Sequence, residues 1–417
     1  MSRNLKIFAV AAVVLAVAGL MNDAAAMFIL SGVCAAVILV CYLLSGLALS
    51  RVEVEMTPPA RNAAAGSDLR PHVLVRSIGS IAIGSAAVEV SARNLTIEDV
   101  AVERRVLLPH LPPGSEMDAD LELTPPARGR YRLSPPAIVD SDPIGMFEQR
   151  REFGEPAELI VFPRTWDLPR VATWDSGMGR LSRRGRQARR DRGEFRGIRE
   201  HTPGDDLRHV HWKVTAHIGE LSVKEYEPLR HDMISIQLDL AEQNHYGGGA
   251  SGTLETAVSA AASLARAGLA EQRSVSLMGS GLPPEVGRPG VGQAHLHRIM
   301  VSLAEAAATP ESFSESLSRQ LRSVARGASV FVITTGAERH LAQVLGATRS
   351  SVGSMMLLVV EPETGGGPGH FTPTSRQVTE AAYAAGVNIG VLRSPADIGD
   401  ALTAATGGMH RSEAEVI

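Results

Sequence analysis

The chain has 417 residues, 44% of them hydrophobic, and a formal net charge of −4. That length accommodates two soluble domains plus a membrane segment, and the acidic balance argues against a general nucleic-acid binder. The two cysteines, Cys34 and Cys41, both lie in an apolar run, so the rest of the chain has no thiol for a disulfide framework, thiolate zinc site or cysteine nucleophile.

Ile7 to Met21 is uninterruptedly apolar, Asn22 and Asp23 break the run, and Ala24 to Leu49 forms a second. At about 1.5 Å per residue the second run crosses a hydrocarbon core of roughly 30 Å, and the first does so with its flanks. We therefore expect a transmembrane hairpin over residues 1–50, in contact with lipid through residues 7–49. A signal peptide is the alternative for the first run, since Arg3 and Lys6 precede it and Ala24-Ala25-Ala26 resembles a cleavage site. Cleavage there would leave a chain beginning inside the next span. Arg3 and Lys6 on one side and Arg51 and Arg61 on the other direct both ends of the hairpin to the cytoplasm.

Residues 51–165 read as a β-sandwich-like domain. RVEVEM, HVLVRS, AAVEVSA, DVAVERRVLL, RGRYRLSPP and ELIVFP are short alternating segments separated by proline and glycine. Asp142-Pro143-Ile144-Gly145 reads as a turn among them.

Residues 166–232 read as a linker followed by a hairpin. Seven arginines between Arg180 and Arg192 are offset only by Asp191, a solvated linker or a surface for anionic headgroups or an acidic protein. Thr202-Pro203-Gly204-Asp205 has the chemistry of a fixed bend, with Asp206 beside it. From Arg208 to Val214, Val210, Trp212 and Val214 alternate with His209, His211 and Lys213, which predicts a half-buried strand. Gly219-Glu220 then turns the chain into Leu221 to Tyr226.

Residues 233–417 alternate strand and helix patterns. Strands are expected at Met233 to Leu240, Ser274 to Met278, Val330 to Thr334, Met355 to Val360 and Val387 to Leu392. Helices are expected at Thr253 to Ala270, Leu296 to Ala307, Phe313 to Val324 and around Val378 to Ala385. The alternation implies a parallel sheet covered on both faces, with a crevice at the carboxyl ends of its strands.

Glu194-Phe195, Arg199-Glu200, Pro203-Gly204-Asp205-Asp206, Arg208, Trp212-Lys213, Ala216 and Lys224-Glu225 resemble the signature of the domain of unknown function 58 family. His201, His211 and His217 stand where that family usually has an aromatic, an acid and an arginine. The resemblance implies a bacterial plasma-membrane protein with cytoplasmic soluble domains. Its fold would be a transmembrane hairpin, a β-sandwich and a von Willebrand factor A-like α/β domain. It also implies association with a MoxR-type AAA+ ATPase, a binding role in complex assembly or maturation, and no catalysis of its own. Glu194, Arg199, Asp205, Asp206, Arg208, Trp212, Lys213 and Lys224 are the expected partner-binding residues.

Three constellations suggest other chemistry. Gly247, Gly249 and Gly252 form GxGxxG, but six residues separate Leu240 from the first glycine and no acid ends the next strand, so a plain glycine loop is expected rather than a dinucleotide site. Asp239 stands where a von Willebrand factor A adhesion site begins, with Ala241 and Gln243 in the two hydroxyl positions and Glu242 as a substitute ligand. His201, His209, His211 and His217 gather near Asp205 and Asp206, with His209 and His211 expected on one strand face. These support the alternative of a metal-dependent adhesion module or membrane-bound enzyme. No cofactor or metal is expected, and the chain shows no GxxxxGK[ST], GxSxG or HExxH motif.

Overall fold

The computed structural model describes residues 3–22, 24–44, 49, 52–59, 62–79, 86–141, 144, 146–168, 194–200, 210–227, 233–249, 252–325, 327–336, 338–361 and 373–407. Contacts divide the chain into two units, Met1–Arg164 and Thr165–Ile417.

The first unit opens with two helices, α1 (Arg3–Asn22) and α2 (Ala25–Leu44), each long and apolar enough to cross a membrane. Ser31 Oγ donates to the Ala12 carbonyl at 2.8 Å, tying the two together. Gly19 lets them approach, since a Cβ there would lie 3.1 Å from the Phe28 ring.

Ten strands follow: β1 (Val52–Thr57), β2 (Asn62–Ala64), β3 (His72–Ser77), β4 (Ala86–Asn94), β5 (Ala101–Leu108), β6 (Glu116–Asp120), β7 (Gly129–Leu133), β8 (Ala137–Ser141), β9 (Glu148–Glu152) and β10 (Ala157–Phe162). One sheet runs β1-β3-β6. The other runs β2-β10-β7-β4-β8-β9, with β5 paired to β4. Alternation puts Val73, Val75, Val88, Val90, Tyr131, Leu133 and Val161 into a common core. The expected strands are all present, but β2 (NAA), β6 (EMDAD), β8 (AIVDS) and β9 (EQRRE) were not anticipated: β6 and β9 are edge strands facing water without an apolar period, and β2 and β8 are too short to show one.

Buried Asn94 closes the far end of β4. Its side chain donates to the Arg128 carbonyl at 2.9 Å and accepts from the backbone of Thr96 and Ile97. Burial lowers the Arg128 guanidinium to about 9.

In the second unit β11 (Glu194–Glu200) pairs antiparallel with β12 (Ser222–Glu227), and a helix, α3 (Trp212–Ile218), precedes β12. Beyond them lies a five-stranded parallel sheet of β13 (Met233–Leu238), β14 (Ser274–Met278), β15 (Ser329–Thr334), β16 (Ser354–Val360) and β17 (Asn388–Leu392). Its spatial order is β14-β13-β15-β16-β17. Helices Thr253–Ala270, Gly292–Glu305 and Ile398–Gly407 cover one face; Phe313–Leu321, Leu341–Thr348 and Pro373–Ala384 cover the other.

Small residues let the first of these helices lie close to the sheet. Ala257, Ala261 and Ala265 are fully buried, and a Cβ at Gly268 would sit 2.6 Å from Ile234 Cδ1. The helices at Leu341–Thr348 and Ile398–Gly407 were not anticipated; both are short, and tertiary packing on the sheet supplies what brief amphipathic patterns lack.

Candidate functional site

Two places gather polar chemistry: the signature hairpin and the crevice at the carboxyl ends of β13 and β15. Because β14 and β15 lie on opposite sides of β13, that crevice is the topological switch point of the sheet.

Asp239, immediately after β13, is fully buried there. Its carboxylate accepts from Thr334 Oγ1 at 2.6 Å, Asn244 Nδ2 at 2.9 Å and the Ala241 N–H at 2.9 Å. Burial pushes its acid up to about 6 despite these donors, and the nearby Glu338 charge adds to the rise. Asn244 bridges the two acids, since its Nδ2 also donates to Glu338 Oε1 at 3.1 Å.

Glu338 in turn caps the helix Phe313–Leu321 from outside. It accepts from the Phe313 and Ser314 N–H groups, both at 2.8 Å, and from Ser312 Oγ at 2.9 Å. A carboxylate at a helix amino terminus satisfies orphan donors and meets the positive end of the dipole. Burial alone would raise the Glu338 acid, but the bonds from Ser314, Phe313 and Ser312 hold it below its usual value.

The sequence singled out Asp239, with Glu242 beside it as a substitute ligand. Glu242 is exposed, in the short turn Glu242–Asn244, while Asn244 from the same turn points inward to Asp239. Glu338 was missed because it lies 99 residues further along the chain, and only the sheet order brings it close. Among the described residues no group of three His, Cys, Asp or Glu side chains is placed to hold a metal ion.

The glycine-rich loop folds onto itself. Gly247 and Gly249 have positive φ, the Tyr246 N–H donates to Thr253 Oγ1 at 2.9 Å, and the Thr253 N–H returns to the Tyr246 carbonyl at 3.0 Å.

At the hairpin the structure corrects the expected strand from Arg208 to Val214: Trp212–Ile218 is helical. His211 caps it, accepting from the Val214 N–H at 3.4 Å, and Gly219 ends it with φ 83°. Strand-like alternation in this segment cannot outweigh the anchors at its ends. Val210 bridges Val223, the His211 N–H donates to the Ser222 carbonyl at 2.8 Å, and the Ser222 N–H donates to Thr215 Oγ1 at 3.1 Å.

With Thr215 turned toward β12, Trp212, Lys213, Ala216 and His217 form the outward face, the i, i+1, i+4, i+5 set of a helix. Trp212 is 64% exposed. Glu194 and Arg199 are on β11 and Lys224 is on β12, so sequence-distant signature residues share one hairpin. Asp205, Asp206, Arg208, His201 and His209 lie outside the described residues, as does Arg180 to Arg192. The same-face argument for His209 and His211 lapses, because His211 begins a helix.

Gly219→Ala tests the helix stop. No atom lies within 4 Å of the added Cβ, so the cost is the left-handed backbone alone. We expect a loss of about 1 kcal/mol in denaturant unfolding followed by fluorescence.

Residues 197–364 match the family model described as Protein of unknown function DUF58, a span that takes in both the hairpin and the switch-point crevice. No curated protein matches. Among solved structures, a β-glucosidase from Listeria innocua in complex with gluconolactone is 17% identical over 26% of this chain and 16% of its own, with a TM-score of 0.20. This chain therefore spans about a sixth of that enzyme. The CARDB domain of a Pyrococcus furiosus protein, in complex with di-metal ions, is 20% identical over 26% of this chain and 91% of its own, at a TM-score of 0.20. A cohesin module from a Clostridium perfringens family 33 glycoside hydrolase is 13% identical over 27% and 96%, at 0.18. Scores this low carry no argument about fold or function.

Proposed function

We propose, from the membership of residues 197–364 in the DUF58 family, that the chain is a membrane-tethered cytoplasmic protein-interaction module and not an enzyme. The observation that carries the proposal is the outward face of α3, where an exposed tryptophan sits beside Lys213 on a hairpin shared by other signature residues. Exposed Trp is costly to leave in water, and Trp and Arg dominate binding hot spots.

Helices α1 and α2 supply the tether in this reading, and Arg3, Lys6, Arg51 and Arg61 keep the soluble mass in the cytoplasm. The parallel α/β unit acts as a von Willebrand factor A-like scaffold whose adhesion site is replaced by the closed Asp239–Asn244–Glu338 network. A MoxR-type AAA+ ATPase is the partner proposed by analogy with the family. Arg180 to Arg192 would hold the linker near anionic headgroups or an acidic protein.

The test is a photo-reactive amino acid at Trp212 or Lys213 in intact membranes. Capture of an AAA+ ATPase at both positions, but not at Glu271, which ends the helix Thr253–Ala270, is the expected result. Capture of no protein at Trp212 would overturn the docking role, and removal of the soluble mass by protease outside sealed cells would overturn the cytoplasmic placement.

A further inference from the structure

The end of the β-unit nearest α1 and α2 presents bulky apolar side chains that the tether itself does not require. The strand ends Ser77, Ala86, Leu108, Glu116, Ser141 and Glu148 gather at this end, since Ala86 pairs with Leu108 and with Asp140, Arg76 with Glu116, and Ser141 with Glu148.

The helical pair meets the same end. Asn4 Nδ2 donates to the Ile144 carbonyl at 2.8 Å, the Tyr42 ring stands edge-on to Phe147 with centroids 5.5 Å apart, and Arg151 donates to the Leu49 carbonyl at 3.1 Å. Asn4 is one residue from the start of α1 and Tyr42 two from the end of α2. Helices of 20 residues are about 30 Å long and only just cross a hydrocarbon core, so these termini fall at headgroup level. Residues bonded to them share that depth.

At this end Ile78 is 62%, Leu107 77% and Ile144 40% exposed. Leu107 is on β5 and Ile144 is in the turn that follows β8; β5 and β8 flank β4, two inter-strand spacings or about 10 Å apart. The outward sides of the helices are apolar too, with Val13, Val17, Ile29 and Tyr42 exposed. Aromatic and aliphatic side chains at headgroup depth gain free energy by entering the acyl boundary.

We propose that Ile78, Leu107 and Ile144 form a lipid-contacting rim, by which the β-unit beds into the bilayer interface instead of hanging free below its helices. The occupant is the lipid surface itself, and the inference rests on the membrane tether proposed above. Such a rim holds the β-unit at one depth and one orientation.

The full chain, with Cys34→Ala and Cys41→Ala, is reconstituted in phosphatidylcholine vesicles and labelled with an environment-sensitive fluorophore at one new cysteine. The positions are Ile78→Cys, Leu107→Cys, Asp99→Cys and Val17→Cys. Asp99 lies in the turn between β4 and β5 at the opposite end, about 30 Å away along β4. Lipids carrying a nitroxide at the upper acyl chain should quench the labels at 78 and 107 at least about twofold more than the label at 99, the depth expected of an interfacial anchor. Equal, weak quenching at 78, 107 and 99 with strong quenching at 17 overturns the rim and leaves the tether standing. Weak quenching at 17 as well overturns both. Burial of the 78 and 107 labels without lipid quenching would assign this end to a protein contact and also overturn the proposal.

Discussion

Asp239→Ala should destabilise the α/β unit by about 2–4 kcal/mol at pH 7, and by more in acid. The substitution strips the acceptor from Thr334, Asn244 and the Ala241 N–H, all in a site closed to water. Each stranded donor costs roughly 1 kcal/mol or more. The three tryptophans, Trp166, Trp174 and Trp212, all follow residue 164, and Trp166 packs on the sheet's core, so intrinsic fluorescence reads this unit.

The sign of the pH effect follows from the acid's folded value of about 6, above an unfolded value of 3.8. Between those values the folded chain holds a proton that the unfolded chain releases, so this group's contribution to stability falls as pH rises from about 4 to about 6. The full swing is on the order of 3 kcal/mol. Removing Asp239 removes that slope, so the variant's deficit grows from pH 7 to pH 5 in urea unfolding curves. Glu338 acts the other way. Its lowered acid supplies stability above its unfolded value that is lost as pH falls, and Asp239→Ala should leave that loss visible. An equal deficit at both pH values would show that Asp239 titrates like an ordinary exposed carboxylate.

Trp212→Ala should weaken capture of the partner about 30-fold or more, roughly 2 kcal/mol, while moving the unfolding midpoint little. The residue is 64% exposed, so its removal leaves no cavity; α3 is held instead through Val210, Thr215 and Ser222. Trp212→Phe should restore part of the affinity, because a flat apolar ring remains. Paired substitution Asp205→Ala and Arg208→Ala should likewise reduce binding and spare stability. Equal losses of binding and stability in these variants would make the signature a structural brace for the hairpin.

Much of the fold was legible because burial imposes a period. Thr253–Ala270 and Ser274–Met278 match their expected bounds to the residue, since a small-residue helix stripe and a short alternation of serine with apolar residues leave little ambiguity. The α/β alternation also led to the parallel sheet, and the two apolar runs to α1 and α2. Where a segment lies half in water, the pattern misled: Arg208 to Val214 alternates like a strand, yet the capping contacts of His211 and Gly219 make its second half a helix. At the crevice, Asp239 stood out by its place after an apolar strand. Its partners did not, because Asn244 and Glu338 look like ordinary loop residues until the chain folds.

The amino-acid order alone determined which segments are apolar, which alternate and where the chain must turn, because desolvation and backbone sterics act locally. Tertiary structure decided that β14 and β15 flank β13 from opposite sides, which closes Asp239, Asn244, Thr334 and Glu338 into one network. Hydrogen bonds reward proximity in space, and proximity between residues 239 and 338 is a property of the assembled sheet.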